Sequence, residues 1–260
     1  KPTLLQTAQL QQRLDAQLPR REAWFKHLVK EALCRLAWAA HLAWLWRVAQ
    51  PRVTVLLFHR VTDEARDNLS VGVSQFERLM QLLKQHCEVL SIEQVLALGD
   101  AVPRSRRPLV AVTFDDGYLD NYTHAAPILR RLGLPAGFYV STGIVASDRQ
   151  FPHDQRRGNA TMPVMAWDQI RQMHAWGFNI GSHTVSHVDC VAEEEGVVRT
   201  ELQQSRADLL REIGRDDLIF AYPYGGRHQM NAQRLELVRQ AGYAACLSAY
   251  GGSNVGRVDT

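Results

Sequence analysis

The chain has 260 residues, with 30 Lys and Arg against 27 Asp and Glu, so its formal net charge at pH 7 is +3. A composition of 46% hydrophobic and 22% charged residues is that of a globular protein and excludes a disordered chain. Residues 53–260 carry a charge balance of −3 and show no basic, aromatic stripe, which argues against a nucleic-acid binder.

The first segment in chain order is a basic, Trp-rich leader over residues 1–52, which carries a balance of +6 and four of the six tryptophans. Its apolar stretch is interrupted by charged residues, so it falls short of the roughly 20 apolar residues that span a bilayer. The pattern over residues 22–48 is helical and predicts either peripheral contact with a membrane surface or a helix packed on protein. No signal-peptide pattern is visible. We expect the protein in the cytoplasm or membrane-associated at the cell envelope.

Strands and helices alternate along residues 53–260, the predicted folded domain. Apolar, β-branched runs such as VTVLLF at 53–58 are typical of buried parallel strands. Two capping boxes, Ser74-x-x-Glu77 and Ser91-x-x-Gln94, indicate where helices begin. Strands are predicted at 53–58, 89–90, 109–114, 136–140, 178–181, 218–222 and 243–247, and helices at 74–85, 91–98, 121–132, 166–176, 192–213 and 231–241. This alternation predicts a parallel sheet, either a barrel or a doubly wound fold.

Polar side chains follow most of the predicted strands. They are His59, Asp115, Asp116, Ser141, Thr142, Ser182, His183, Tyr224 and Ser248, and the apolar Pro223 precedes Tyr224. In a β/α barrel such positions line one mouth, and carboxylates gathered there with imidazoles indicate a metal-assisted site. The long connection over 142–164 is typical of a functional or disordered loop. Its arginines would either meet anionic groups of a substrate or be solvated.

The adjacent carboxylates Asp115 and Asp116 and the pair His183-x-x-x-His187 are the candidate chemistry. Adjacent residues at a strand end point in different directions, so one carboxylate can bind a metal while its neighbour faces a substrate. The two imidazoles share a face only if their loop takes a helical turn. Two histidines and one carboxylate form an open ligand set that leaves a position for water. The four cysteines lie far apart without a CxxC pair, which argues against a disulfide framework or a Cys-ligated metal.

Three segments resemble the signatures of the polysaccharide deacetylases, the NodB-homology group of carbohydrate esterases. They are TFDDGY at 113–118, GSHTVSH at 181–187 and, in a variant form, FAYPYG at 220–225. The opening LFHRV at 57–61 is also similar to that of many bacterial members. The resemblance covers about residues 53–260. It implies a distorted (β/α)7 barrel, here with an N-terminal helical extension, that removes acetyl groups, mostly N-acetyl, from a bacterial polysaccharide or lipid-linked sugar.

The same resemblance assigns roles to individual residues. Asp116, His183 and His187 would bind a divalent ion; Zn²⁺ suits such ligands, and Co²⁺, Ni²⁺ or Mn²⁺ also accept them. Asp115 would be the general base that activates a water held by the metal. The backbone N–H of Tyr224 would help to hold the oxyanion.

Two departures from the family pattern affect the acid–base groups. The Arg that usually orients the base two residues before the motif's Pro is replaced by Ala221, and the family's late catalytic His is not found before Thr260. We therefore expect His59 to be the general acid; the alternative is that it only hydrogen-bonds within the mouth.

The candidate substrate-binding residues are Trp167, Tyr222 and Pro223. Trp167 and Tyr222 would stack on a pyranose face, unless both are core aromatics. Two other functions stay open at this point. One is the same metal site acting on another acyl or formyl amide, and the other is a catalytically inactive carbohydrate-binding module.

Overall fold

A computed structural model describes residues 51–64, 68–156 and 162–258 of the chain. Apart from its last two residues, the predicted leader lies outside these ranges. The membrane contact predicted for residues 22–48 therefore also lies outside them. The division of the chain at residue 53 therefore stays a prediction.

The centre of the described domain is a curled, largely parallel sheet. Its strands are β1 (Arg52–Phe58), β4 (Glu88–Val89), β5 (Leu109–Phe114), β6 (Gly137–Val140), β7 (Asn179–Ser182), β8 (Ile219–Ala221), β9 (Ala245–Leu247) and β10 (Asn254–Val255), and a separate parallel pair is formed by β2 (Arg60–Val61) and β3 (Ser70–Val71). The order across the sheet is β10-β1-β5-β6-β7-β8-β9, with β4 paired to the start of β5. All seven predicted strands are present and pair in parallel, which confirms the predicted barrel class. Only β10 pairs antiparallel within this sheet.

Seven α-helices connect or flank these strands in the described ranges. They are α1 (Val73–His86), α2 (Ile92–Leu98), α3 (Ala126–Leu132), α4 (Pro152–Arg156), α5 (Trp167–Ala175), α6 (Glu195–Ile213) and α7 (Ala232–Gln240). A π-helical turn at Asn121–Ala125 leads into α3. The largest hydrophobic cluster joins the helices to the sheet, and its aromatic centre stacks Phe114 on Phe138 at 4.7 Å between ring centroids. None of the described helices is both long enough and apolar enough to cross a membrane.

One of the two predicted capping boxes is wrong. Ser91 caps α2 as predicted, with reciprocal hydrogen bonds to Gln94. At α1, however, the N-cap is Gly72, and the first helical N–H, that of Val73, donates to Asp63 Oδ1 at 3.1 Å. The cap is thus supplied by a carboxylate ten residues upstream, which the local serine pattern does not reveal.

Candidate functional site

The two adjacent carboxylates lie in a tight turn at the end of β5. Asp115 continues the strand pairing, since its N–H donates to Phe58 O at 3.0 Å. Asp116 and Gly117 then take positive φ angles of 76° and 95°. A Cβ at Gly117 would lie 2.9 Å from Val145 Cγ1, so the turn requires glycine in both conformation and space. Both carboxylates are buried at the sheet edge, with Asp115 6% and Asp116 0% exposed.

The two histidines follow β7 in a non-helical turn, which corrects the expectation that a helical turn would be needed to bring them together. The turn contains two positive φ angles, 65° at Thr184 and 58° at His187. Glu201 of α6 holds it: its carboxylate accepts from Val185 N at 2.8 Å and from both the N and Oγ of Ser186 at 2.9 and 2.6 Å. These hydrogen bonds between Glu201 and the histidine turn were not predicted from the sequence.

Asp116, His183 and His187 converge as predicted. Asp116 Oδ1 lies 3.6 Å from His183 Nε2 and 3.3 Å from His187 Nε2, and the three ligand atoms all lie within 4.8 Å of one another. Ligand bonds of about 2.0 Å in a tetrahedral zinc site place neighbouring ligand atoms about 3.3 Å apart. The spacing of the cluster is therefore close to that of a metal site.

The hydrogen-bond pattern of His183 fixes which of its nitrogens faces Asp116. His183 Nδ1 is 2.9 Å from the carbonyl of Ala221, which can only accept, so Nδ1 carries the proton and Nε2 presents a lone pair to Asp116. Burial lowers the pKa of His183 to about 3 and holds that of His187 well below its usual range, so both rings are neutral at pH 7. A lone pair facing a carboxylate is unfavourable unless a cation lies between them. These residues therefore fit a divalent metal ion.

Asp115 is the buried carboxyl beside this cluster. Burial raises its pKa from 3.8 to about 8. Ala221, at the position where the resembled motif usually has Arg, is 3% exposed and packs in an apolar cluster. A carboxyl whose pKa is near neutrality is suited to accept a proton as a general base.

His59 follows β1 and lies near the cluster. Its charge is among the causes that lower the pKa values of His183 and His187. The backbone carbonyl of His59 accepts from Asn121 Nδ2 at 2.8 Å. Asn121 follows Asp120, whose carboxylate forms a buried ion pair with Arg60 Nε at 3.0 Å. The end of β1 is thus held against the turn that follows β5.

Tyr224 lies at the surface of the same mouth. Its φ is 64°, its side chain is 44% exposed, and its ring lies 4.9 Å from that of His187, edge to face. The predicted oxyanion donor therefore belongs to a residue in contact with a candidate ligand.

The three candidate substrate-binding residues are less exposed than Tyr224. Tyr222 is 2% exposed and packs 4.8 Å from Phe220, and Pro223 is also buried. The structure therefore favours the alternative that Tyr222 is a core aromatic, and no sugar ring can stack on it in this conformation. Trp167 is half-buried at the start of α5 and packs partly on the main core.

The long connection over 142–164 contributes to the site. It contains α4, whose His153 places Nε2 at 3.7 Å from Asp116 Oδ2. Phe151 is 1% exposed and packs on Tyr118 and His187 at 5.2 and 5.5 Å between centroids. Sequence reasoning noted the length of this connection but did not assign a role to His153, because no regular spacing links it to the motifs.

Residues 103–246 match the model of the family described as "Polysaccharide deacetylase". Among curated proteins, the chain is 25% identical over 185 residues to the poly-beta-1,6-N-acetyl-D-glucosamine N-deacetylase of Staphylococcus aureus, a match covering 67% of this chain and 59% of that protein. A Bacillus subtilis relative is 22% identical over 202 residues, covering 77% of this chain and 66% of the relative. The chain thus spans less than two thirds of the length of these two relatives.

Solved structures show the same fold. IcaB from Ammonifex degensii superposes with a TM-score of 0.66 at 24% identity, covering 76% of this chain and 84% of that chain. The deacetylase PplD of Streptococcus pyogenes, in complex with acetate, superposes with a TM-score of 0.65 at 24% identity, covering 78% and 85%.

Proposed function

Because the chain belongs to the polysaccharide deacetylase family, and so to the hydrolases that act on carbon–nitrogen bonds, we propose that it removes N-acetyl groups from a glycan with the help of a divalent metal ion. The observation that supports this most directly is the buried cluster of Asp116, His183 and His187 with Asp115 beside it. The substrate would be an N-acetylated bacterial polysaccharide or a lipid-linked sugar.

The metal would be held by Asp116 Oδ1 and the Nε2 atoms of His183 and His187. When bound, a divalent ion such as Zn²⁺ polarises the acetyl carbonyl and favours deprotonation of water. Two neutral imidazoles and a carboxylate suit zinc. Which metal the protein binds in the cell depends on metal availability as well as on ligand type.

Asp115 would take a proton from the attacking water as the water oxygen forms a bond to the acetyl carbon. Burial raises the pKa of this carboxyl, which makes its ionised form a stronger base. The backbone N–H of Tyr224 would donate to the carbonyl oxygen as negative charge develops there.

His59 would donate a proton to the departing nitrogen as the carbon–nitrogen bond breaks, so that the products are acetate and a free amine. This role is supported by the position of His59 beside the cluster. The hydrogen bond that Asn121 donates to the His59 backbone carbonyl also supports it.

Acetate release from N-acetylglucosamine oligomers, with and without Zn²⁺, tests the proposal. We expect zinc-dependent release by the wild-type protein and a loss of at least about 100-fold in the Asp115→Asn variant, which keeps the shape of the side chain but removes the base. Wild-type protein that binds zinc but releases formate or another acid from other amides would indicate a different acyl substrate. Glycan binding without release of any acid would indicate an inactive carbohydrate-binding module.

A further inference from the structure

Part of the long connection between β6 and α5 is folded over the candidate metal site. Leu119 N donates to Pro163 O at 2.9 Å, and Tyr118 forms an antiparallel bridge with Val164. Near the other end, Phe151 and Tyr118 share a small apolar cluster. The segment that carries His153 is thus docked against the same turn that carries Asp116.

A hydrogen-bond chain in this segment ends at His153, beside Asp116. The hydroxyl of Tyr118 donates to Asp154 Oδ2 at 2.6 Å. Since a phenol has one hydrogen, the Tyr118 oxygen must accept from His153 Nε2, which lies 2.9 Å away. His153 Nε2 therefore carries a proton, which it donates to Tyr118. The same polar N–H group lies 3.7 Å from Asp116 Oδ2, a close electrostatic contact that is longer than a hydrogen bond.

The two oxygens of Asp116 have different neighbours. Oδ1 faces the Nε2 atoms of His183 and His187, at 3.6 and 3.3 Å, whereas Oδ2 faces His153. His153 also stacks on Phe151 at 5.2 Å between centroids, which holds the plane of its ring. His153 Nε2 thus lies on the Oδ2 side of the carboxylate, whereas the candidate ligand atoms lie on the Oδ1 side.

We propose that His153, oriented by Tyr118 and Asp154, is a positioning residue that holds the Asp116 carboxylate with Oδ1 toward the metal. The inference rests on the proposed function, because it concerns the orientation of Asp116, which is a metal ligand only in that proposal. His153 is not itself a ligand, because its Nε2 proton occupies the electron pair that a metal needs. Partners that orient metal ligands are typically worth about 10–100-fold in metal affinity.

The test is zinc affinity, measured by competition with a chromophoric chelator, for the 260-residue chain and its variants. We expect His153→Ala to weaken zinc binding about 10–100-fold, and Tyr118→Phe to weaken it in the same direction by a smaller factor. His153→Gln keeps an N–H donor near the position of Nε2 and should recover part of the affinity. His86→Ala, an exposed histidine at the end of α1, is the matched control and should bind zinc as the wild type does.

Activity at saturating zinc separates positioning from proton donation. A positioning role predicts that acetate release by His153→Ala recovers as the site is filled, whereas a general acid at this position would leave kcat low. Thermal melting of the metal-free variants shows which of them fold. If His153→Ala does not fold, the zinc affinities of Tyr118→Phe and His153→Gln provide the test.

Wild-type zinc affinity in a folded His153→Ala variant overturns the inference. So does weakened binding with no recovery in His153→Gln, since that result indicates that packing of the ring matters and that the polar N–H beside Asp116 Oδ2 does not. Failure of the wild-type protein itself to bind zinc would overturn the metal site of the proposed function, and the inference with it.

Discussion

Replacing Glu201 with Ala removes the carboxylate that holds the turn over residues 183–187. Three donors lose their acceptor: Val185 N, Ser186 N and Ser186 Oγ. Hydrogen bonds to a charged group contribute about 1.5–3 kcal/mol each, but these groups are part-buried and water replaces some of the loss. We therefore expect the free energy of unfolding to fall by about 2–4 kcal/mol.

The effect should appear in thermal melting and in zinc affinity together. For a domain of this size, about 1 kcal/mol shifts Tm by about 2–4 °C, so Glu201→Ala should lower the Tm of the metal-free protein by about 4–16 °C. Zinc binding should weaken too, because the turn places both histidines. Glu201→Gln keeps one acceptor oxygen, so its losses should be smaller.

Glu195→Ala is the control, since it removes an exposed glutamate from the first turn of the same helix, where it pairs with Arg199. Its Tm should change less than that of Glu201→Ala, and its zinc affinity should equal that of the wild type. Equal Tm losses in the two variants, with zinc affinity intact in both, would show that Glu201 does not hold the histidine turn.

Three further results are expected. His59→Ala should lower turnover of the zinc-loaded protein about 100-fold or more, as for loss of a general acid; near-wild-type turnover would assign the proton to another group. Treatment with a chelator should abolish acetate release and lower Tm, and added zinc should restore both; release that persists without metal would contradict the proposal. Burial raises the pKa of Tyr243 from 10.0 to about 12, so the unfolded chain loses this proton first and the free energy of unfolding falls between about pH 10 and pH 12. Urea unfolding across that range should show a shallower fall for Tyr243→Phe, and an unchanged slope would refute the assignment.

Much of the fold follows from patterns that are local in the sequence. The run at 109–114 is buried throughout as β5, and it pairs in parallel with β1 and β6, as a strand inside the predicted parallel sheet should. The charged pattern over 192–213 gives α6 from Glu195 to Ile213. These elements were predictable from their own residues: β5 is a continuous apolar run, and α6 buries Val198, Leu202, Ser205 and Leu209 at helical spacing.

The convergence of Asp116, His183 and His187 was predictable for a different reason. Parallel strands end at the same edge of a sheet, so residues that follow β5 and β7 meet although 67 positions separate Asp116 from His183. The form of the histidine turn was not predictable, because it depends on Glu201, a side chain from the next helix. The contact of His153 with Asp116 likewise depends on how an aperiodic connection packs.

The replacement of the family's Arg by Ala221 is consistent with the surroundings of that position. Ala221 packs in a cluster with Val53, Tyr139 and Ile219, where a guanidinium would be buried among apolar groups. Its backbone carbonyl instead orients His183. Asp115 is then left with burial as the cause of its raised pKa. A carboxylate without a neighbouring guanidinium binds a proton more tightly, so Ala221 in place of Arg would make Asp115 a stronger base in the proposed reaction.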